Sequence, residues 1–491
     1  MNTRFSRNFA YNVAGSLLPI VSGLVTIPFY LQMIGPARYG IVSITWILLG
    51  YFGFLDFGLS RASANALSRL GHATPAERAP VFMTALYLNL MLGLAGSAVL
   101  YVAGDFLLRD AFAIPGDLQQ ETLAAFPWMV PMLPLGMVAG VATGTLESHE
   151  RFLLANLLQA AGTTLGQTLP LGCAYLFGPT LGVLIPSLLI VRVLVVVMTF
   201  AVVVSLEWPI RPIGFHFGWA RKLFGYGAWV SVSSLISPIL DTFDQLLIGR
   251  LLGPVAIAHY AVPMNLSLRS QVVAAALART LFPRISREDA AVGRRITAHA
   301  TVSLIYVFGA ICGPAIVMAG PFLNLWVGQD FARYAQPVAE ILMVGAWMNG
   351  IAFMPYNQLQ AQGRPDLTAK VHAVEVVPFL LGLWALISLA GLPGAALAWT
   401  LRVSGDCIAL LWLARCLDGA MLRAVPAVML MLSSFALAET VTLGFAASIA
   451  VSAAIGLVFL GFGVALEPVL REAAQTGMAK VRARLSHRVA G

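Results

Sequence analysis

Charged side chains interrupt long apolar stretches of this chain at Asp56, Arg61, Arg192, Asp241, Asp244, Arg269, Glu340, Glu375, Arg402 and Asp406. A charge in such surroundings costs about 2.5–3.5 kcal/mol on insertion scales, so each must face a wet cavity, pair with a neighbour or reach for an interface. Asp241 and Asp244 are three residues apart and share one helix face. In a cavity they could couple to a proton or Na⁺; paired with Arg250 or Arg269 they would be structural. Arg269 sits in a polar stretch, Asn265-Leu-Ser-Leu-Arg269-Ser-Gln271, inside an otherwise apolar segment. At ~5 Å and an effective dielectric of ~20, one arginine–phosphate pair is worth roughly 3 kcal/mol. Arg269 and Arg61 are therefore candidate anion contacts, and Asp56, close to Arg61 in sequence, is a third candidate substrate-binding residue, while Arg61 could instead reach inward to the interface. Arg402 and Asp406 are four apart, which favours an internal salt bridge.

Sequence motifs for catalysis and metal binding are missing. The chain holds no Walker A loop, no HExxH and no G-x-S-x-G, and its seven histidines show no ligand spacing. Its four cysteines (Cys173, Cys312, Cys407 and Cys416) all lie in apolar segments and read as small hydrophobes. No enzyme activity, catalytic residue, metal or cofactor is expected.

The elements that must position these charges are set by solvent. Of the 491 residues 59% are apolar and 11% charged, with a mean hydropathy of +0.83. A soluble chain carries roughly 25% charged residues. The apolar residues also come in blocks long enough to cross a bilayer, which predicts an all-α integral membrane protein of about fourteen transmembrane helices. The spans are 9–34, 39–60, 80–104, 122–146, 152–177, 181–206, 223–250, 255–278, 296–320, 335–358, 370–390, 392–416, 421–440 and 442–466. With the N-terminus in the cytosol, 23 of the 30 Lys and Arg residues fall on the inner side and four on the outer. That bias places both termini inside. The net charge of +8 is spread over short loops and termini, without the stripe or module that nucleic acid would require.

Three motifs recur in order. Leu146-Glu-Ser-His-Glu-Arg151 pairs with Leu359-Gln-Ala-Gln-Gly-Arg364. Gly35-Pro36 followed by Tyr39 pairs with Gly253-Pro254 followed by Tyr260, and Gly178-Pro-Thr-Leu-Gly182 pairs with Gly391-Leu-Pro-Gly394. Six spans separate the copies, so they share one topology, and a path between the halves is expected. The expected organisation is two pseudo-symmetric six-helix lobes, 1–206 and 223–416, joined by an interfacial linker at 207–222. Two extra helices at 417–466 and a basic cytosolic tail at 467–491 follow. Helix breakers gather in span 1 (Gly15, Pro19, Gly23, Pro28), span 4 (Pro127, Pro131, Pro134, Gly136, Gly140, Gly144) and span 7 (Pro238). They suit either rocking helices or close packing through small residues.

Three runs, Asn8-Phe-Ala-Tyr-Asn-Val-Ala-Gly15, Ile34-Gly-Pro-Ala-Arg-Tyr-Gly40 and Phe54-Leu-Asp-Phe-Gly-Leu-Ser-Arg-Ala62, resemble the opening of Wzx-type polysaccharide flippases. Asp244-Gln-Leu-Leu-Ile-Gly-Arg-Leu-Leu-Gly253, followed by Tyr260, is similar to that family's seventh-span signature. Two departures stand out: His259 precedes the Tyr, and fourteen spans replace the twelve common among Wzx proteins. The resemblance, to a superfamily that includes the MATE antiporters and MurJ, implies a V-shaped bundle that alternates access. Its implied cargo is an undecaprenyl-diphosphate-linked oligosaccharide, carried across the bacterial inner membrane for surface polysaccharide synthesis. Membrane lipid and the polymerase and export machinery are the implied partners, and nucleic acid is not one. A MATE-like cation-coupled drug antiporter and a non-transporting scaffold of a synthesis complex are the alternatives.

Overall fold

The computed structural model describes residues 3–52, 56, 58–70, 73–207, 215–275, 285, 290–417, 419–441, 443–472 and 474–476. Of residues 3–17, 19–20, 47–52, 207, 225–239, 241 and 290 it describes the backbone alone. The regular elements among the described residues are all helices, which satisfy every backbone donor and acceptor within one segment, as a bilayer demands. In chain order the helices are α1 (Thr3–Phe52), α2 (Leu59–Arg69), α3 (Pro75–Phe106), α4 (Gly116–Ala125), α5 (Met132–Ser148), α6 (Phe152–Phe177) and α7 (Leu181–Glu207). They continue as α8 (Phe217–Leu252), α9 (Pro254–Ser270), α10 (Ala290–Val327), α11 (Gln329–Ala361), α12 (Pro365–Leu413), α13 (Val425–Thr440) and α14 (Phe445–Leu466).

Seven described stretches are each long and apolar enough to cross a membrane: Pro75–Ala111, Leu181–Leu206, Ala291–Val327, Gln329–Ala361, Pro365–Leu413, Met421–Thr440 and Phe445–Leu466. An eighth forms if the pair Gly116–Trp128 and Met132–Ser148, bent by 40°, counts as one span. The bend has a covalent cause. Pro127 and Pro131 bracket it, and a proline cannot donate to the helix ladder. The chain is thus an all-helical, multi-span membrane protein.

Two helices are too long to be single crossings, and each breaks at a glycine. α1 runs 50 residues with Gly35 at φ 76°, and α12 runs 49 residues with Gly391 at φ 62°. Only glycine enters that left-handed region without steric cost. The repeat motifs coincide with these corners. Gly253, between α8 and α9, matches Gly35 with φ 84°, and Gly178, between α6 and α7, matches Gly391 with φ 109°. At the third motif the agreement extends to hydrogen bonds. The Arg151 N–H donates to the Leu146 carbonyl and the Arg364 N–H to the Leu359 carbonyl, each at 2.9 Å. Glu150 and Gly363, one residue earlier, have φ of 58° and 69°. These are helix ends of the left-handed capping type.

The chain forms two compact units, Met1–Ala258 and His259–Gly491. In the first, α6 packs on α1 and α7, α5 on α2, α3 and α7, and α8 on α1, α2 and α3. Leu59, Phe82, Leu88, Val141, Leu146 and Val203 fill its centre. A Cβ at Gly40 would overlap the Pro254 carbonyl oxygen, so the glycine of the Gly35–Gly40 motif is what allows this approach. Arg38 and Glu121 pin the same corner. The Arg38 Nε donates to both Glu121 carboxylate oxygens at 3.0 Å, and Glu121 Oε1 also accepts the Leu181 N–H at 2.6 Å. In the second unit α10 packs on α11, α13 and α14, and α11 on α12, around Tyr306, Phe308, Trp347 and Phe459. One end of it is tied by Glu467, fully buried, which meets His299 Nδ1 at 2.8 Å and Arg423 Nη1 at 3.5 Å. Residues 208–214 of the expected linker, and the tail beyond Thr476, lie outside the described residues.

Candidate functional site

The α2 corner carries two of the expected site residues. Asp56 lies just before α2, half-buried, and its carboxylate accepts the Ser60 N–H at 3.2 and 3.3 Å and the Ser60 hydroxyl at 2.9 Å. An anion on the orphan N–H groups of a helix start satisfies them and complements the helix dipole. The next residue is Arg61, which is exposed. Asp56 therefore fixes the first turn of the helix that presents Arg61. The opposite side of α2 lies on α5, where a Cβ at Gly140 would strike the Ser60 hydroxyl and one at Gly144 would crowd Ser60 and Ala64. The glycines expected in span 4 serve here as points of close approach. Gly136 does likewise for the Arg192 guanidinium, which lies where its Cβ would be.

Helix α8 packs on α2 and holds Asp244, which is fully buried. One carboxylate oxygen of Asp244 accepts the Gln245 N–H at 2.7 Å. Asp241 is on the same helix, but its side chain lies outside the described residues. Arg269 is half-buried in α9 and belongs to the second unit. Its polar neighbours divide between sealed and open positions. Asn265 is exposed and donates to the Ala261 carbonyl at 2.8 Å, while Ser267 and Gln271 are buried. Gln271 accepts from the Asn349 amide at 3.0 Å. The Ser267 hydroxyl and the Gln271 amide nitrogen have no hydrogen-bond partner among the described residues. Polar atoms buried in this way commonly hold ordered water.

Arg402 and Asp406 do not bridge along one helix as their spacing predicts; each reaches across to the other half of α12. Arg402 Nη1 lies 3.6 Å from Glu375 Oε1, and Asp406 Oδ1 lies 3.5 Å from His372 Nε2. The kink at Gly391 folds the two halves side by side and supplies these partners, which composition along one segment cannot reveal. His372 and Glu375, three residues apart on one span, were the available signal. Glu340, fully enclosed in α11, accepts from Gln336 Nε2 at 2.9 Å.

Against this geometry the comparisons are consistent. Residues 5–288, more than half of the chain, match the family described as polysaccharide biosynthesis protein. A Shigella flexneri protein named as an O-antigen transporter is 27% identical over 414 residues, covering 83% of this chain and 97% of the relative. The lipopolysaccharide biosynthesis protein WzxC of Escherichia coli strain K12 is 21% identical over 411 residues, covering 80% and 77%. In fold, the chain is similar to the lipid II flippase MurJ in an inward closed conformation (TM-score 0.71, 11% identity, 91% and 97% covered). It is also similar to an inward-facing multidrug resistance MATE transporter of the MOP superfamily (TM-score 0.68, 14% identity, 84% and 99% covered). By the family match over residues 5–288, and with a MATE- and MurJ-like fold over most of its length, this chain belongs to the polysaccharide biosynthesis protein family of membrane transporters.

Proposed function

We propose that the chain is a flippase that moves undecaprenyl-diphosphate-linked oligosaccharide from the cytosolic to the periplasmic leaflet of the bacterial inner membrane, for O-antigen, capsule or exopolysaccharide synthesis. The observation that carries this reading is the similarity to the Shigella flexneri protein named for O-antigen transport, which spans 83% of this chain and 97% of that relative. Fourteen spans with both termini cytosolic accommodate it. α1 and α12 each contribute two crossings at their glycine corners, and Lys and Arg concentrate on the inner side. Transport proceeds by alternating access.

Arg61 and Arg269 meet the diphosphate in this reading. Asp56 acts through the first turn of α2, holding Arg61 in place, and Asp241 and Asp244 are available for ion coupling. The deciding experiment is the leaflet-resolved pool of lipid-linked oligosaccharide in cells lacking the gene. The reading expects the cytosolic pool to build up and the intact gene to restore it. An unchanged pool together with raised sensitivity to cationic drugs would replace the flippase with an antiporter. Precursor transport that survives loss of the protein, without drug sensitivity, would leave it a scaffold.

A further inference from the structure

The two halves of α12 enclose a ladder of four ionisable groups that the family match does not explain. His372 lies ~10 Å along α12 from Pro365 and Glu375 ~15 Å; on the returning half, Asp406 lies ~10 Å from Leu413 and Arg402 ~16 Å. Glu375–Arg402 (3.6 Å) thus forms one rung well inside the α12 hairpin, and His372–Asp406 (3.5 Å) forms the next rung toward its open end, the cytosolic end in the proposed topology. The side chains of Glu375, Arg402 and Asp406 are 14%, 10% and 11% exposed, and His372 is 28% exposed. The Arg402 guanidinium is further held over the Phe379 ring, 5.3 Å from its centre. Alongside runs a groove of about 670 Å³ whose charged lining is Lys370, Glu375, Arg402 and Asp406, all from α12. Lys370 stands at the rim, where Asp366 pairs with its ammonium at 3.3 Å. Between the rim and the ladder the walls are mainly apolar, including Val374 and Trp412.

Charge balance decides what this ladder is built to hold. With a neutral imidazole the four groups carry one net negative charge; with an imidazolium they carry none. Deep in a low-dielectric region the neutral set is far cheaper than the charged one. The donor atoms of His372, Glu375 and Asp406 lie within 4.8 Å of one another, close enough to invite a metal. A divalent ion would instead leave one net positive charge beside the Arg402 guanidinium. Na⁺ is a hard ion that prefers oxygen ligands, and an imidazole suits it poorly. The 3.5 Å separation is longer than the 2.7–2.9 Å typical of a charge-assisted N–H···O bond. Protonating His372 supplies the charge that draws it in.

We propose that His372 and Asp406, framed by Glu375 and Arg402, form a single-proton binding site opening toward the cytosolic half of the membrane, through which transport is coupled to a proton gradient. The coupling half of this statement rests on the flippase reading; the binding half does not. The site takes one proton onto the imidazole, and no bond other than N–H forms or breaks. Gain of that proton neutralises the ladder and tightens the second rung, while loss of it restores a buried negative charge that strains the pairing of the two halves of α12.

The test has two arms. In the first, the purified full chain in lipid nanodiscs carries ¹⁵N-labelled histidine, and His372 is assigned by His372→Gln. Its imidazole should titrate as one proton, with a midpoint displaced by about one unit or more in Asp406→Asn. An imidazole that does not titrate, or a midpoint that Asp406→Asn leaves in place, overturns the site. Stoichiometric zinc binding that His372→Gln abolishes overturns it in favour of a metal. In the second arm, proteoliposomes carrying the lipid-linked precursor receive an imposed pH difference. One-proton coupling drives a leaflet asymmetry of about tenfold per pH unit in the intact chain, and His372→Gln should not respond to the gradient. Equal responses from both refute the coupling. Absence of any precursor movement by the intact chain refutes the flippase reading instead, and leaves the first arm standing.

Discussion

Glu121 offers the sharpest test of how the first unit is held together. Replacing it with alanine removes three contacts at once: the two hydrogen bonds from Arg38 at 3.0 Å and the cap on the Leu181 N–H at 2.6 Å. The Arg38 side chain is 37% exposed and that of Glu121 20%, so water screens the ion pair to about 1 kcal/mol. The Leu181 N–H begins α7, and its loss of a charged acceptor costs a further ~1–2 kcal/mol. Glu121→Ala should therefore destabilise the unit by about 2–3 kcal/mol. Glu121→Gln keeps an acceptor for Leu181 and should lose only about 1 kcal/mol. At roughly 2–4 °C per kcal/mol for a unit of this size, the expected drops in Tm are ~4–12 °C and ~2–4 °C. The assay is built into the chain: its free cysteines include three buried thiols, Cys312, Cys407 and Cys416, and Cys173 is partly buried in α6 of the first unit. A thiol-reactive fluorophore in detergent reads their exposure on heating, and Cys173 alone, with the other three replaced by alanine, reports the first unit. Equal shifts for the two variants would refute the separation into an ion pair and a cap. A shift no larger than that of Asp366→Ala, an exposed carboxylate in the second unit, would refute the staple altogether.

Other outcomes follow from the same structure. Asp56→Ala should unwind the first turn of α2, at ~1–2 kcal/mol, and lower export together with Arg61→Ala, while Asp56→Asn, which keeps an acceptor, should retain most of it. Both effects are read from thermal shift and the leaflet-resolved precursor pool. Glu150 holds a left-handed φ of 58° with a side chain in the way, so Glu150→Gly should gain up to ~1 kcal/mol, whereas Gly363→Ala in the second copy should lose ~1 kcal/mol. Opposite signs in the thermal-shift assay are the signature. Glu467→Ala leaves His299 and Arg423 facing a void and should cost about 2–3 kcal/mol, less than a fully enclosed pair because both partners touch solvent. Arg269→Ala should impair precursor export while leaving membrane insertion intact; normal export by that variant would remove it from the proposed anion path.

What could be read from the sequence was whatever a local rule determines. Gly35-Pro36 and Gly253-Pro254 mark corners because a left-handed residue followed by a proline ends one helix and opens the next, whatever surrounds it. The Leu146–Arg151 and Leu359–Arg364 copies give the same hydrogen bond because capping needs only six consecutive residues. Side-chain partnership obeys no such rule. Arg402 and Asp406 have ideal spacing for each other, yet each takes a partner about thirty residues away in sequence, because the kink at Gly391 brings a second helix face within reach. Asp56 is a candidate cargo contact by its charge; its hydrogen bonds to Ser60 at the start of α2 depend on where that helix begins, which the apolar run through residue 60 obscured. The glycines of span 4 could have signalled motion or packing, and only the neighbouring helix decides. Ser60, Ala64 and Arg192 occupy the space a side chain would need. In a membrane, where hydrophobicity is nearly uniform along every span, composition sets how many helices there are and which way they run. The identity of each polar partner is set by the few places where glycine or proline lets two helices approach. The three-residue spacing of His372 and Glu375 says little on its own for that reason: its significance appears once the returning half of α12 places Asp406 beside the imidazole.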